Sequence, residues 1–194
     1  MKRPSRTDTA RHEAAHALVG WLCRIPLSVC AIRTRPVTAD QKRFVSLGFT
    51  RVTDEEDGKI NDLLHSPSVP TEDERRYLGR HVLFAVAGFV AEQMSGTTSQ
   101  ESTGSDRRHA LLVAGRLSGG RMVGDRVTGK MDIPDERKAE YFRVLSETEE
   151  EVKKLLADHA KAWDALTSRL LFDSSLTGEQ VDQFLSGMLG QRGA

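Results

Sequence analysis

Two histidines and a glutamate near the start of the chain have the residue types and the spacing of a metal site. Residues 12 to 16 form the run His-Glu-Ala-Ala-His. Side chains four residues apart lie on one face of a helix, so the imidazoles of His12 and His16 can reach a single ion. Zn²⁺ binds neutral imidazole nitrogen at about 2.0–2.1 Å, and a catalytic zinc keeps one position for water. Glu13 is then the predicted general base for the zinc-bound water.

The same run has a plainer interpretation, in which these three residues fall at this spacing by chance on a surface helix. A chain of this composition gives about 0.01 chance matches, so coincidence is uncommon. Ala14, Ala15 and Ala17 also leave room for neighbouring helices and a metal, whereas a solvated helix would more often carry Lys or Gln there. The context therefore favours the zinc site.

The elements that must position this motif are predicted from capping residues and periodicity. Thr7 or Asp8 is the predicted N-cap of a first helix, which should end before Pro26. Alternating apolar and polar residues then predict two half-buried strands at 29–33 and 44–52. We therefore expect a small β-sheet near the metal motif.

The rest of the chain is predicted to be mainly helical. Residues 53–70 are polar and have no sustained period, so we expect an exposed loop with at most one helical turn. Thr71 and Glu74 form a capping box in front of an apolar helix that runs to Gly96. Apolar residues repeat every seven positions over 145–170, which predicts one long helix in a C-terminal helical bundle. Two further helices are predicted, one opening at Ser105 or Asp106 and one capped by Thr177 with Gln180. The fold class is mainly α.

The composition is that of a folded globular protein. The 194 residues are 38% hydrophobic and 29% charged, which predicts one domain over 1–194 with frayed tails at 1–6 and 187–194. The 28 basic and 28 acidic side chains leave no net charge to attract nucleic acid or an anionic membrane. The longest apolar run, 82–91, is too short to span a bilayer. With no signal-peptide pattern at the start, we expect a cytoplasmic protein.

Several stretches beyond the motif follow the pattern of one known family in the same order. Residues 12–17, His-Glu-Ala-Ala-His-Ala, resemble a motif H-E-A-G-H-A, and residues 87–93 resemble a stretch G-G-R-x-A-E-E. Residues 102–110 resemble T-T-G-A-S-N-D-L-x-x-A, and Leu47-Gly48-Phe49 matches a strand with the pattern L-G-(Y/V/F). Residues 170–181 resemble the closing segment of the same family. The family is the FtsH-type zinc metallopeptidase domain, and the similarity covers residues 7 to about 185.

The resemblance implies a third zinc ligand and a carboxylate that supports the site. Asp106 matches the third ligand of the family, which gives a zinc held by His12, His16 and Asp106, although the loop before Asp106 is two residues shorter here. Glu92 matches the A-E position and is implied to orient a ligating histidine. Each carboxylate also has a simpler alternative. Asp106 would be favoured by the dipole in the first turn of its helix, and Glu92 would form a buried salt bridge.

The remaining four histidines are interpreted as structural. His109 lies three residues after Asp106 and is predicted to be a partly exposed polar residue. His65 and His81 have no partner at metal-ligand spacing, and His159 lies on the predicted seam of the long helix, where a satisfied core histidine is expected.

The motif and the resemblance together predict a zinc-dependent endopeptidase that hydrolyses unfolded or short polypeptides. Its substrate would lie extended along the second strand, at Leu47, Gly48 and Phe49, with backbone hydrogen bonds supplying the affinity. We expect no ATPase activity. The run from Gly124 to Lys130 has the frame of a phosphate-binding loop, but a methionine follows where a Ser or Thr must hold Mg²⁺.

Two other function classes are compatible with the sequence. One is a metal-binding, non-catalytic or regulatory module that partners a separate AAA+ unfoldase, a partner that the peptidase itself could also use. Glu13 argues against it, because such a module needs no general base. The other is an interaction protein with a basic face, in which the histidine pair is incidental. The resemblance also implies a homo-oligomer, since members of the family form rings.

Overall fold

The computed structural model describes residues 5–32, 48–97, 104–124 and 129–190, and the chain is mainly helical, as predicted. The helices in these ranges are α1 (Arg6–Leu22), α2 (Asp54–His65), α3 (Glu72–Ser95), α4 (Gly104–Leu117), α5 (Lys138–Asp158), α6 (Ala160–Asp173) and α7 (Gly178–Leu189). The strands are β1 (Leu27–Ile32), β2 (Gly48–Val52), β3 (Arg121–Val123), β4 (Lys130–Asp132) and β5 (Ser175–Thr177), and a 3₁₀ turn spans Asp135–Arg137.

The predicted small sheet is three-stranded, with β1 between β2 and β5 and both pairs antiparallel. Cys30 is the central residue of the register, because it lies opposite Thr50 on β2 and Leu176 on β5. The predicted first strand is confirmed to within two residues at its start. The second is confirmed from Gly48 onward, and its earlier part lies outside the described residues. We did not predict β5, because three residues are too short to show an alternating pattern.

Helix α1 begins earlier than predicted. Its N-cap is Ser5 rather than Thr7 or Asp8. Ser5 Oγ accepts a hydrogen bond from the Asp8 backbone N–H at 3.1 Å, and Asp8 Oδ2 accepts one from the Ser5 backbone N–H at 2.8 Å. Asp8 is therefore the third helical residue of a capping box and not the cap itself. The helix ends at Leu22, before Pro26, as predicted.

Helix α1 lies at the centre of the molecule, and every residue from His12 to Trp21 is buried. It packs against α3, α6 and the sheet. Ala14, Ala15 and Ala17 have no exposed surface, because their small side chains let these neighbours approach closely. In the sequence these alanines favoured a metal site. In the structure they are explained by the packing of other elements around α1.

Helix α3 confirms the prediction for the apolar segment. The hydroxyl of Thr71 and the carboxylate of Glu74 form the predicted capping box, and Gly96 ends the helix with a φ of 66°, which is favourable for glycine. The helix has 24 residues. Within the described ranges, however, no helix combines the length and the apolarity needed to cross a membrane.

The segment 53–70 is a correction, because a helix rather than a loop occupies most of it. Thr53 caps α2, with its hydroxyl accepting from the Glu56 backbone N–H at 3.4 Å. The acidic residues at 54–57 form the first turn, where the helix dipole favours negative charge. Ile60 and Leu64, four residues apart, are the buried face. Two apolar contacts gave too weak a period to be recognised among the polar residues.

The single long helix predicted for the C-terminal half is also wrong, since the chain bends between α5 and α6. His159 is the junction, with φ −114° and ψ 27°, and it is half-buried rather than part of a helix core. Val152 and Leu156 are buried on α5, which packs on α3, whereas Leu166 and Leu170 are buried on α6, which packs on α1. The seven-residue repeat correctly predicted both apolar faces, but it carried no signal for the bend between them.

Candidate metal centre

The two predicted histidine ligands and the predicted aspartate meet where α1, α3 and α4 come together. Nε2 of His12 lies 3.0 Å from Oδ2 of Asp106, and Nε2 of His16 lies 3.2 Å from the same oxygen. The two Nε2 atoms are 3.2 Å apart. Among the residues that the structure describes, these three form the one group of His, Cys, Asp or Glu donors able to hold a metal ion.

The spacing of these donor atoms fits a small tetrahedral cation. For ligands at about 2.0 Å from zinc, tetrahedral geometry separates neighbouring donors by roughly 3.3 Å. The three distances in the cluster, 3.0 to 3.2 Å, come close to that value before any adjustment on binding. Asp106 brings its carboxylate from the first turn of α4, so its predicted helical position and its implied role as a ligand are compatible.

One face of α3 orients both imidazoles. Nδ1 of His12 lies 2.9 Å from Oε1 of Glu92, and Nδ1 of His16 lies 2.7 Å from the backbone carbonyl oxygen of Phe84. These acceptors take the Nδ1–H of each ring, which leaves both Nε2 lone pairs for a metal. Glu92 therefore contacts His12, one of the two predicted ligands, which is the kind of contact that the resemblance implied. Sequence reasoning missed Phe84, because the group that acts is a backbone carbonyl and its side chain gives no signal.

Gly88 makes this close packing of α3 against α1 possible. A Cβ atom at this position would lie 2.2 Å from Nε2 of His12 and 2.5 Å from Nε2 of His16. Gly88 lies midway between Phe84 and Glu92, four residues from each, on the same helix face. Its role was not predicted, although a glycine inside an apolar helix is costly enough to suggest a packing reason.

The charges in the cluster favour a cation. Burial opposes a charge on His12, but its hydrogen bonds to Asp106 and Glu92, together with the negative charges of Glu13 and Asp106, outweigh burial and raise its pKa from 6.5 to about 10. Burial also opposes ionisation of Asp106, but His16 and His12 outweigh it and hold the pKa of Asp106 well below its ordinary value. With no metal bound, a proton on His12 balances the carboxylates. Positive charge is favoured here, and either a proton or a metal ion can supply it.

Glu13 is buried between α1 and strand β2, with 5% of its surface exposed. The hydroxyl of Thr50 lies 2.8 Å from its Oε2, and a Cβ atom on Gly48 would lie 2.7 Å from its Cγ and Oε1. Burial raises the pKa of Glu13 although His12 and His16 act to lower it. Sequence reasoning did not identify Thr50, because only strand pairing brings it to the motif.

The predicted substrate strand is partly described. Gly48 and Phe49 begin β2, whereas Leu47 lies outside the described residues. Gly48 faces Glu13, and Phe49 lies on the opposite face of the strand, where its ring is 4.9 Å from the guanidinium carbon of Arg51. The two described residues therefore have different surroundings.

The other histidines lie outside the metal cluster, as interpreted from the sequence. His81 is buried, and its Nε2 lies 2.9 Å from Oε1 of Glu56. His65 is exposed and contacts the carbonyl of Asn61, and His109 is half-buried on α4. The phosphate-loop frame is described only in part, and its end at Lys130 begins β4, a strand paired with β3. A phosphate-binding loop opens a helix at this position.

The chain matches no protein-family model, and no curated protein matches it.

Proposed function

We propose that this protein is a zinc-dependent endopeptidase of the FtsH type that hydrolyses unfolded or short polypeptides. The observation that carries the proposal is the convergence of two imidazole nitrogens and one carboxylate oxygen within 3.2 Å of one another, with Glu13 adjacent on α1. Nitrogen-rich donor sets of this kind suit Zn²⁺, whereas Mg²⁺ and Ca²⁺ prefer oxygen ligands. Glu92 and the Phe84 carbonyl support the histidines in the manner typical of zinc ligands.

In the proposed mechanism, three residues of the site bind the metal and Glu13 transfers the proton. A bound zinc ion would supply Lewis-acid chemistry, which polarises a carbonyl and makes water nucleophilic near neutral pH. His12, His16 and Asp106 would hold the ion, and Glu13 would take a proton from the attacking water and give it to the departing amine. Burial raises the pKa of Glu13, which favours its taking up a proton from the water.

The edge of β2 opposite β1 is the proposed place for the substrate, beside Glu13. Among the described strands, β2 pairs with β1 on one side only, so its other edge can bond an extended peptide through the backbone. Such bonding requires an extended chain and reads little of its sequence, which is why unfolded or short polypeptides are the expected substrates. A separate AAA+ unfoldase and assembly into a homo-oligomer belong to the proposal as partners, and no ATPase activity is expected.

A second candidate is a metal-binding regulatory module, and the burial of the cluster favours it. His12 and His16 are each 4% exposed, and Glu13 is 5% exposed, so a substrate must approach from the side of Asp106, whose side chain is 28% exposed. A module that only binds metal needs no such approach. The two candidates differ in one measurable respect, which is turnover.

The decisive experiment compares the parent protein with Glu13→Gln, a nearly isosteric change that removes the base. Cleavage of unfolded casein and bound zinc per chain are measured on the same preparations, with and without phenanthroline. We expect chelator-sensitive cleavage in the parent and a loss of about 10²–10⁴-fold in the variant, because this is the typical contribution of a general base. Bound zinc and the melting temperature should not change.

A matched control is Glu56→Gln, which makes the same change at a carboxylate outside the metal cluster, one that is paired with the buried His81. It should cleave casein at the parental rate. A zinc-loaded parent without cleavage activity would favour the regulatory module, and a parent that binds no zinc would exclude both candidates. If Glu13→Gln kept full activity, Glu13 would not be the base.

A further inference from the structure

The face of β2 that packs on α1 contains two residues directed at Glu13. Gly48 and Thr50 are two positions apart, so they lie on the same face of the strand. Both lie next to Glu13. Gly48 has no side chain, and Glu13 occupies the space that one would fill, whereas Thr50 contacts Glu13 through its hydroxyl. The strand that borders the proposed substrate path is therefore also the strand that packs on the proposed base.

The hydroxyl of Thr50 has one proton and three acceptors within reach, two on Glu13 and the sulfur of Cys30 at 3.2 Å. Its Oγ1 lies 2.8 Å from Oε2 of Glu13 and 3.1 Å from the backbone carbonyl oxygen of Glu13. The carboxylate is closer, and an ionised acceptor forms the stronger hydrogen bond. The thiol of Cys30, 3.5 Å from the same carbonyl, can occupy that second acceptor. These distances favour donation from Thr50 to the Glu13 carboxylate.

Gly48, on the same face of the strand, lies close to the other oxygen of the carboxylate. A Cβ atom at Gly48 would approach Cγ and Oε1 of Glu13 to 2.7 Å, so any side chain there would displace Glu13. One oxygen of Glu13 thus accepts a hydrogen bond from Thr50, and the other occupies space that a side chain at position 48 would take. The side chain of Glu13 has little freedom to rotate between these two contacts.

We propose that Thr50 is a positioning residue for Glu13, fixing its carboxylate so that the second oxygen serves as the base. This inference rests on the proposed peptidase function. Because Thr50 and the substrate edge belong to one strand, the hydrogen bond also sets the base at a fixed distance from a peptide paired with β2. Orientation of this kind contributes to rate rather than to affinity, since reacting groups must be held in a productive geometry.

The test is a pair of substitutions, Thr50→Val and Thr50→Ser. Valine keeps the shape and removes the hydroxyl, whereas serine keeps the hydroxyl. We expect Thr50→Val to lower kcat for an unfolded peptide by about 10- to 100-fold, the range for losing a hydrogen bond to a charged group, with KM unchanged within about threefold. Thr50→Ser should recover kcat to within about threefold of the parent. Bound zinc should stay at the parental level in both variants.

A double substitution tests whether Thr50 acts through Glu13. In a Glu13→Gln background, Thr50→Val should cause no further loss of kcat, because the group that Thr50 positions is no longer a base. A second readout does not need turnover. Calorimetry of the zinc-loaded proteins with acetohydroxamate, a chelator that must give up a proton on binding, should show about tenfold weaker binding in Thr50→Val and in Glu13→Gln.

The control is Thr148→Val, which removes another buried threonine hydroxyl, one bonded to the carbonyl of Val144 on α5. It should leave kcat and acetohydroxamate binding unchanged. Parental kcat in Thr50→Val, or an additive loss in the double variant, would overturn the positioning role. If the parent protein cleaves no peptide, the proposed function fails, and the calorimetric comparison still decides the role of Thr50.

Discussion

Asp106 contributes the carboxylate that the imidazoles of His12 and His16 both contact, so its removal is the direct test of the proposed third ligand. Two imidazoles alone form an incomplete zinc site, because such sites normally use three protein ligands. We expect Asp106→Ala to lower zinc affinity by at least about tenfold while the protein remains helical. Competition with a chromophoric chelator measures the affinity, and circular dichroism monitors the fold.

The matched control for this prediction lies on the same helix. His109 is three residues after Asp106 and is half-buried, and it is not part of the metal cluster. His109→Ala should bind zinc as the parent does. If His109→Ala lost zinc and Asp106→Ala retained it, the ligand on α4 would be His109 and not Asp106.

Zinc binding should depend on pH through the proton on His12. Its pKa, raised from 6.5 to about 10, means that the folded protein without metal keeps this proton near neutral pH. Zinc must displace the proton, so its apparent affinity should rise by about tenfold per pH unit between about pH 7 and 9. Calorimetry in buffers of different ionisation enthalpy should detect about one proton released per zinc. An affinity that does not change over this range would contradict the proton balance.

The same proton sets the pH dependence of stability in the protein without metal. A histidine with a raised pKa stabilises the folded state below its unfolded pKa, and this contribution is lost as pH rises. Here the loss should extend from about pH 6.5 to about pH 10. Thermal melts in the presence of a chelator should show a decline over this window, and the decline should be absent in His12→Ala.

At the scale of elements, the candidate metal centre depends on how closely α3 packs against α1. Gly88→Ala would place a methyl group where the Nε2 atoms of His12 and His16 lie. We expect this variant to lose zinc affinity by at least about tenfold, because the helices must separate or the imidazoles must rotate. Bound zinc per chain, measured after dialysis against a weak chelator, checks the prediction.

Helix α3 offers its own control at Gly79, where an added Cβ atom would have no neighbour within 4 Å. Gly79→Ala should keep zinc and raise the stability of the protein by about 0.5–1 kcal/mol, since alanine is the better helix former. Equal zinc content in Gly79→Ala and Gly88→Ala would show that the close approach at Gly88 is not needed for the site.

For the whole molecule, a bound metal connects segments that are far apart in the sequence. His16 and Asp106 are separated by 90 positions, and the ion would tie α1 to α4 across the core. A ligand that binds the folded state alone, at about 100 times its Kd, stabilises it by about 2.7 kcal/mol. For a chain of this size, the expected rise in Tm is about 5–10 °C.

Differential scanning calorimetry with zinc and with a chelator measures this stabilisation. Asp106→Ala serves as the reference, because its Tm should change little when zinc is added at the same concentration. A parent protein whose Tm is the same with zinc and with chelator would contradict the assignment of a metal centre that joins the helices.

Features that depend on neighbouring residues could be predicted from the amino-acid sequence. Capping boxes predicted where α3 and α7 begin. The four-residue spacing predicted that His12 and His16 lie on one face of a helix. Both predictions were possible because the contacts within a helix join residues that are close in the sequence. Other helix boundaries could not be predicted in this way, as α2 and the bend at His159 illustrate. A bend between two helices that pack on the same core leaves the apolar pattern almost unchanged.

Which distant groups meet the motif depends on the packing of whole elements. Asp106 was implied by resemblance, but its 3.0 Å distance from His12 results from the packing of α4 against α3. The group of Phe84 that contacts His16 is a backbone carbonyl, which no side-chain pattern reveals. Gly88 matters because a Cβ atom there would collide with His12 and His16. Thr50 contacts Glu13 because strand β2 packs beside α1. Contacts between segments far apart in the chain arise only when helices and strands come together, and no local pattern records that.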